Sequence, residues 1–189
     1  MPRITSVSGL KALAVSALLA ITVGMSGQAA EVAGCASPAC SDYAPPIAVP
    51  GWVHDTAYEG RSMQILVPPG IPFYLSSRWI GVYVSLKTEN QTLDDRLASG
   101  ESSGPRTYPG IRYFHLPDVP RGDGQEPFHL RLSEKSNDPK FGLSAVTIDT
   151  DRAGRPYFVT IALAANDLED LNATVPLFQA ALRNFGKPN

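Results

Sequence analysis

Cysteine is scarce: the 189-residue chain has two, Cys35 and Cys40. A scaffold stapled by several disulfides is excluded. The chain also lacks a basic block, with Lys and Arg numbering 16 against 18 Asp and Glu for a formal charge of −2. Gripping phosphates takes clustered Lys and Arg, so this balance argues against nucleic acid and against adhesion to anionic membranes. Long apolar runs are missing too. The longest, over residues 12–25, falls short of the ~20 residues that a membrane-spanning helix needs.

What is present begins with that run. Arg3 and Lys11 precede it, and the small-residue tail Ser26-Gly27-Gln28-Ala29-Ala30 follows. This is the layout of a cleavable export leader over residues 1–30, cut after Ala29 or Ala30. Removal takes both basic residues with it, leaving 14 against 18 and a formal −4. The mature chain is expected to be periplasmic or secreted, with no membrane-spanning segment. Roughly 150 residues suits one domain with a real core. In an oxidising compartment Cys35 and Cys40 are expected to form a disulfide, worth about 2 kcal/mol for so short a loop. The alternative is a lipid anchor at the envelope: Val32-Ala33-Gly34-Cys35 has the form of a lipobox with Cys35 acylated. Against it, Glu31 is charged and a polar spacer parts the motif from the apolar run.

Residues 31–50 are mostly Ala, Pro and Ser, which predicts an irregular lead-in to a single domain over 51–189. Within it, Ile80, Val82, Val84 and Leu86 share one face of a strand over 79–87, opposite Gly81, Tyr83, Ser85 and Lys87. That alternation marks a half-buried antiparallel strand. A shorter strand at Met63–Val67 must stop at Pro68-Pro69-Gly70. Phe128, Leu130 and Leu132 alternate with His129, Arg131 and Ser133 in another. Residues 143–150 and 155–165 form a hairpin about the turn Asp151-Arg152-Ala153-Gly154. In its second strand one face is Phe158, Thr160, Ala162 and Ala164, small enough that something must pack close above it. The stretch 100–127 reads as loops around one strand, 111–116. Two helices stand out. Thr92-Leu93-Asp94-Asp95 opens one that Ser99-Gly100 ends. Phe178, Ala181, Leu182 and Phe185 fall at i, i+3, i+4 and i+7 in the other, with Pro176 in its first turn and a separate short helix expected over 166–171. The fold class is therefore α+β: an antiparallel sheet covered by helices, including a C-terminal helix.

Trp79-Ile80-Gly81-Val82-Tyr83-Val84-Ser85-Leu86 before the Thr92 helix start, with Gly154-Arg155-Pro156-Tyr157-Phe158-Val159-Thr160 leading into a terminal helix bearing Phe178 and Phe185, resembles the Mog1/PsbP-like superfamily. Asn184 stands where that superfamily usually has serine. The resemblance implies an α/β/α sandwich-like fold and an accessory or binding role without catalysis, and it carries over no functional residue.

The motifs that invite chemistry are weak. Gly100-Glu101-Ser102-Ser103-Gly104 spells a nucleophile elbow, and Asp118 or Asp123 before His129 gives the hydrolase chain order, but an elbow needs a strand before it and a helix after it. Arg121-Gly122-Asp123 spells a cell-adhesion tripeptide in what reads as a solvated turn. Asp149-Thr150-Asp151 imitates a calcium loop, yet Ala153 and Thr160 stand where ligands are required. His54, His115 and His129 share no metal-ligand spacing. No catalytic set, metal site or cofactor is called for. The best contact candidates are His129 and Arg131 on the polar face of one strand, with Tyr83. The function expected is that of an exported, non-enzymatic accessory or binding protein of the bacterial cell envelope, with a protein partner there. The alternatives are a secreted hydrolase using Ser102 or a histidine-held metal, and a lipoprotein anchored through Cys35.

Overall fold

The computed structural model describes residues 43, 47–57, 63–122, 124–135 and 141–186. Residues 1–30, expected to be an export leader, and Cys35, Cys40 and Asp123 lie outside the described residues. Seven strands are described: β1 (Val53–His54), β2 (Met63–Val67), β3 (Arg78–Leu86), β4 (Ile111–Val119), β5 (Phe128–Lys135), β6 (Phe141–Thr150) and β7 (Pro156–Ala165). They form one sheet in the order β1-β2-β3-β7-β6-β5-β4, with every pairing antiparallel. β7 lies at the centre, with Ile161 opposite Val82 of β3 on one side and Ala145 of β6 on the other. A strand flanked on both sides and covered on both faces must be apolar all round, which is why Tyr157 through Ala165 are buried without a break.

Two helices cover the sheet, one on each face. α1 (Leu93–Thr107) sets Leu93 and Leu97 on Val146 and Phe158. α2 (Leu168–Asn184) sets Leu171, Phe178, Ala181 and Leu182 on the opposite face, among Ile80, Val82, Val159, Ile161 and Leu163. Opposite faces make the α/β/α layering. α2 corrects the expectation of two helical pieces. The Asp167 carboxylate accepts the Asp170 N–H at 2.8 Å, and one continuous helix then runs through Pro176. Proline removes one backbone hydrogen bond, but Leu171 and Phe178, two turns apart, are both buried and hold the helix from either side.

α1 also outruns its expected end. Thr92 and Asp95 form the reciprocal cap: Thr92 Oγ1 accepts the Asp95 N–H at 3.1 Å and the Asp95 carboxylate accepts the Thr92 N–H at 3.0 Å. The Thr92 hydroxyl also donates to the Asp95 carboxylate at 2.7 Å, and this bond first, then the one from the Thr92 N–H, holds the Asp95 carboxyl below its ordinary range. The helix then continues through Gly100, Gly104 and Pro105 to Thr107, so the first part of the stretch read as loop, residues 100–107, is helix. The core also reaches back beyond residue 51. Ile47 and Val49 are buried with the α2 face, and Tyr43 stacks on Tyr157 with ring centroids 4.7 Å apart. The part of the lead-in that is described is thus packed against the sheet.

Candidate functional site

Strand register places Tyr83, Arg131 and His129 on the α1 face. Tyr83, Thr160, Val146 and His129 lie in one row across four strands, so Tyr83 and His129 stand about 14 Å apart at ~4.8 Å per strand. Arg131 is two residues along from His129 and 4% exposed. It points up into α1, where Nη1 donates to the Leu97 carbonyl at 3.1 Å and meets Glu101 Oε1 at 3.4 Å. The guanidinium lies over the Tyr113 ring at 5.5 Å. Arg96 is held below its ordinary value first by its own burial and then by the charge of Arg131. Arg131 therefore fastens helix to sheet. Gly104 makes room for this contact, because a Cβ there would sit 2.0 Å from Tyr113 Oη. Tyr83 belongs to an aromatic cluster with Trp79, Ala162 and Ala164; its hydroxyl is buried without a partner among the described residues, and burial pushes its pKa up. The small residues on β7 leave space for these two large rings on the next strand.

His129 sits between two carboxylates, with Nδ1 3.2 Å from Asp118 and Nε2 3.3 Å from Glu126. His115 Nε2 lies 3.1 Å from Glu101 Oε1. His54 is on β1 and His115 on β4, the two opposite edges of the sheet, about 29 Å apart at the usual strand spacing. Among the described residues, no group of three or more His, Cys, Asp or Glu is placed to hold a metal ion.

The other motifs find structural employment. Arg121 does not project into solvent: its side chain is 8% exposed and lies over the Phe128 and Phe185 rings at 5.3 and 5.1 Å. It donates to the Ile148 carbonyl at 3.1 Å and pairs with Asp149 at 3.3 Å, while the Tyr43 hydroxyl donates to the same Asp149 oxygen at 2.5 Å. Asp151 organises the hairpin turn by accepting the Ala153 and Arg155 N–H groups at 2.9 Å each. Ser102 is exposed on α1, where its hydroxyl donates to the Ser99 carbonyl at 3.1 Å.

One corner went unread in the sequence. Among the described residues, four of the five most exposed large apolar side chains lie at the β1 end of the sheet, Val53 on β1 and Ile71, Tyr74 and Leu75 in the connection from β2 to β3. Tyr74 and Leu75 are 67% and 68% exposed. They ride on the 3-10 turn Phe73–Leu75, which is stiff. Pro68, Pro69 and Pro72 fix their φ angles, Gly70 takes φ +78, and the Asp55 carboxylate accepts the Phe73 N–H at 2.7 Å. Phe73 itself packs edge-on to Trp79 at 4.8 Å. The signal was there in composition: residues 67–77 carry no charge at all and three prolines. Periodicity could not show it, since a turn has none.

No helix among the described residues is long and apolar enough to cross a membrane. No known protein family matches the chain, and no curated protein matches it. Solved structures do. The Ran-binding protein Mog1p of Saccharomyces cerevisiae is 10% identical, with 68% of this chain and 75% of that chain covered and a TM-score of 0.43. A mutant of the protein Mog1 is likewise 10% identical, with 74% and 93% covered and a TM-score of 0.45. At this identity and these TM-scores the likeness transfers neither residue nor activity.

Proposed function

We propose that this chain is an exported accessory or binding protein of the bacterial cell envelope, acting through a protein partner and without catalysis of its own. The observation that carries the binding reading is the apolar corner. An isolated exposed leucine means nothing, but an aromatic and two aliphatic side chains held outward on a proline-braced turn are the anchors that interfaces use. Because the turn is already rigid, docking it costs little ordering entropy. Its freedom from charge suits a partner offering an uncharged apolar cleft rather than a basic or acidic one. Export rests on the leader reading of residues 1–30.

A photo-crosslinking side chain placed at Leu75, in protein recovered from its own envelope fraction, tests this. The expected result is a discrete adduct that excess unlabelled protein suppresses and that a Tyr74→Ala competitor does not. A crosslinker at Ser102, on the exposed side of α1, should give no such adduct. Equal labelling from both positions would remove the corner as the binding site. Covalent capture of Ser102 by a serine-reactive probe, lost in Ser102→Ala, would replace the binding reading with the hydrolase.

A further inference from the structure

β4 is the longest open edge of the described sheet, pairing with β5 alone. On the α1 face it is fastened twice, each time by a histidine against a carboxylate. His115 of β4 meets Glu101 of α1 at 3.1 Å, and Asp118 of β4 meets His129 of β5 at 3.2 Å. The register slips between Leu116 and Val119, and such a bulge re-aims side chains; here it brings the Asp118 carboxylate to the His129 ring. The second ring nitrogen of His129 faces Glu126 at 3.3 Å, in the turn that joins β4 to β5.

We propose that these contacts make β4 a proton-responsive edge, fastened while His115 and His129 are charged and loosened when they are neutral. Ionised carboxylates only accept hydrogen bonds, and a neutral imidazole has one N–H. A ring set between two carboxylates can therefore donate to both only as the imidazolium. When the ring gives up a proton, one nitrogen of His129 turns a lone pair on a carboxylate and that link fails. A neutral His115 likewise has no charge with which to hold Glu101.

The other charges around β4 do not follow this course. Arg131 keeps Glu101 in place at 3.4 Å, and Arg112 pairs with Glu134 at 3.0 Å on the opposite face. Both guanidiniums stay charged throughout, so β4 stays paired with β5 and what varies is how often its edge opens.

Amide hydrogen exchange on the full chain at pH 5 and pH 7.5, corrected for the intrinsic rate, reads this out. Protection of β4 amides should fall about fivefold between the two, the scale of exposed ion pairs, while β7 amides hold constant. In the His115→Gln/His129→Gln double variant β4 protection should be low and equal at both pH values. Asp118→Asn, which leaves both histidines in place, should lose about half of the pH response. An unchanged β4 protection in the wild type would overturn the proposal, and so would a pH response that survives in the double variant.

Discussion

Beneath α2 the sheet offers Ile80, Val82, Val159, Ile161 and Leu163 to Phe178, Ala181 and Leu182, whereas beneath α1 it offers Val146 and Phe158 to Leu93 and Leu97 and completes the contact with Arg131, Glu101 and Tyr113. The first interface is held by area. Apolar burial has no preferred direction, so it scales with what is removed from water and tolerates small shifts. The second is held by a guanidinium that must find one carbonyl, one carboxylate and one ring at fixed distances. Such a contact contributes less, but it fixes where the helix lies.

The sharpest test of the dry side is Phe178→Ala. Phe178 is wholly buried at the middle of α2, and removing its ring should cost about 3–5 kcal/mol, a large part of a domain's usual ~5–15. A urea melt measures it as a fall in midpoint at constant slope. A midpoint that does not move would mean that α2 is not docked, and the contrast between the faces would vanish with it.

The same contrast decides what the sequence could reveal. The α2 face was legible because Ile80, Val82 and Val84 alternate and because Phe178, Ala181, Leu182 and Phe185 recur at helical spacing; the strand read at 79–87 lies at Arg78–Leu86. The α1 face was not legible past Leu97. Gly100, Gly104 and Pro105 are helix breakers by local propensity, and only the Tyr113 ring, nine residues beyond Gly104, explains why a glycine belongs inside that helix. Ile47 and Val49 were missed for a related reason: two apolar residues among prolines carry no period, and their burial depends on a sheet distant in sequence. Arg121 and Arg131 looked like surface charges because nothing local announces that rings and carbonyls will enclose them. The apolar corner at Tyr74 and Leu75 runs the other way, since apolar residues beside prolines read as a strand's end rather than as side chains aimed at solvent.

Gly104→Ala breaks the α1 side at its tightest point. Alanine favours helix by ~1 kcal/mol over glycine, so an isolated α1 would gain from it. In the fold the new methyl would meet Tyr113 Oη at 2.0 Å and the ring carbon behind it at 2.9 Å. The ring cannot yield without leaving Arg131, whose guanidinium it faces. Overpacking of this kind costs roughly 1–3 kcal/mol, and the expected net result is a destabilised protein. Tyr113→Phe in the same chain removes the oxygen and should restore part of the loss. A stabilised Gly104→Ala variant would show that α1 rides above the sheet without touching Tyr113, and its placement would then be a matter of area as on the other face.

The smallest effect belongs to Ser102→Ala, five residues before the helix end at Thr107 that the sequence concealed. Ser102 is exposed, and its one hydrogen bond, to the Ser99 carbonyl at 3.1 Å, is made on the solvent side of α1. Losing an exposed bond costs little because water replaces it, while alanine favours helix slightly more than serine. The two terms oppose each other, and stability should change by less than about 0.5 kcal/mol. Thermal melts of Ser102→Ala and Gly104→Ala side by side sharpen the comparison within a single motif. Both positions belong to Gly100-Glu101-Ser102-Ser103-Gly104, a pattern that as a nucleophile elbow would make the serine indispensable and the glycines accessory. As a helix packed on Tyr113, it makes Gly104 the residue that cannot change and Ser102 the one that can. A loss at Ser102 as large as the loss at Gly104 would reverse that assignment.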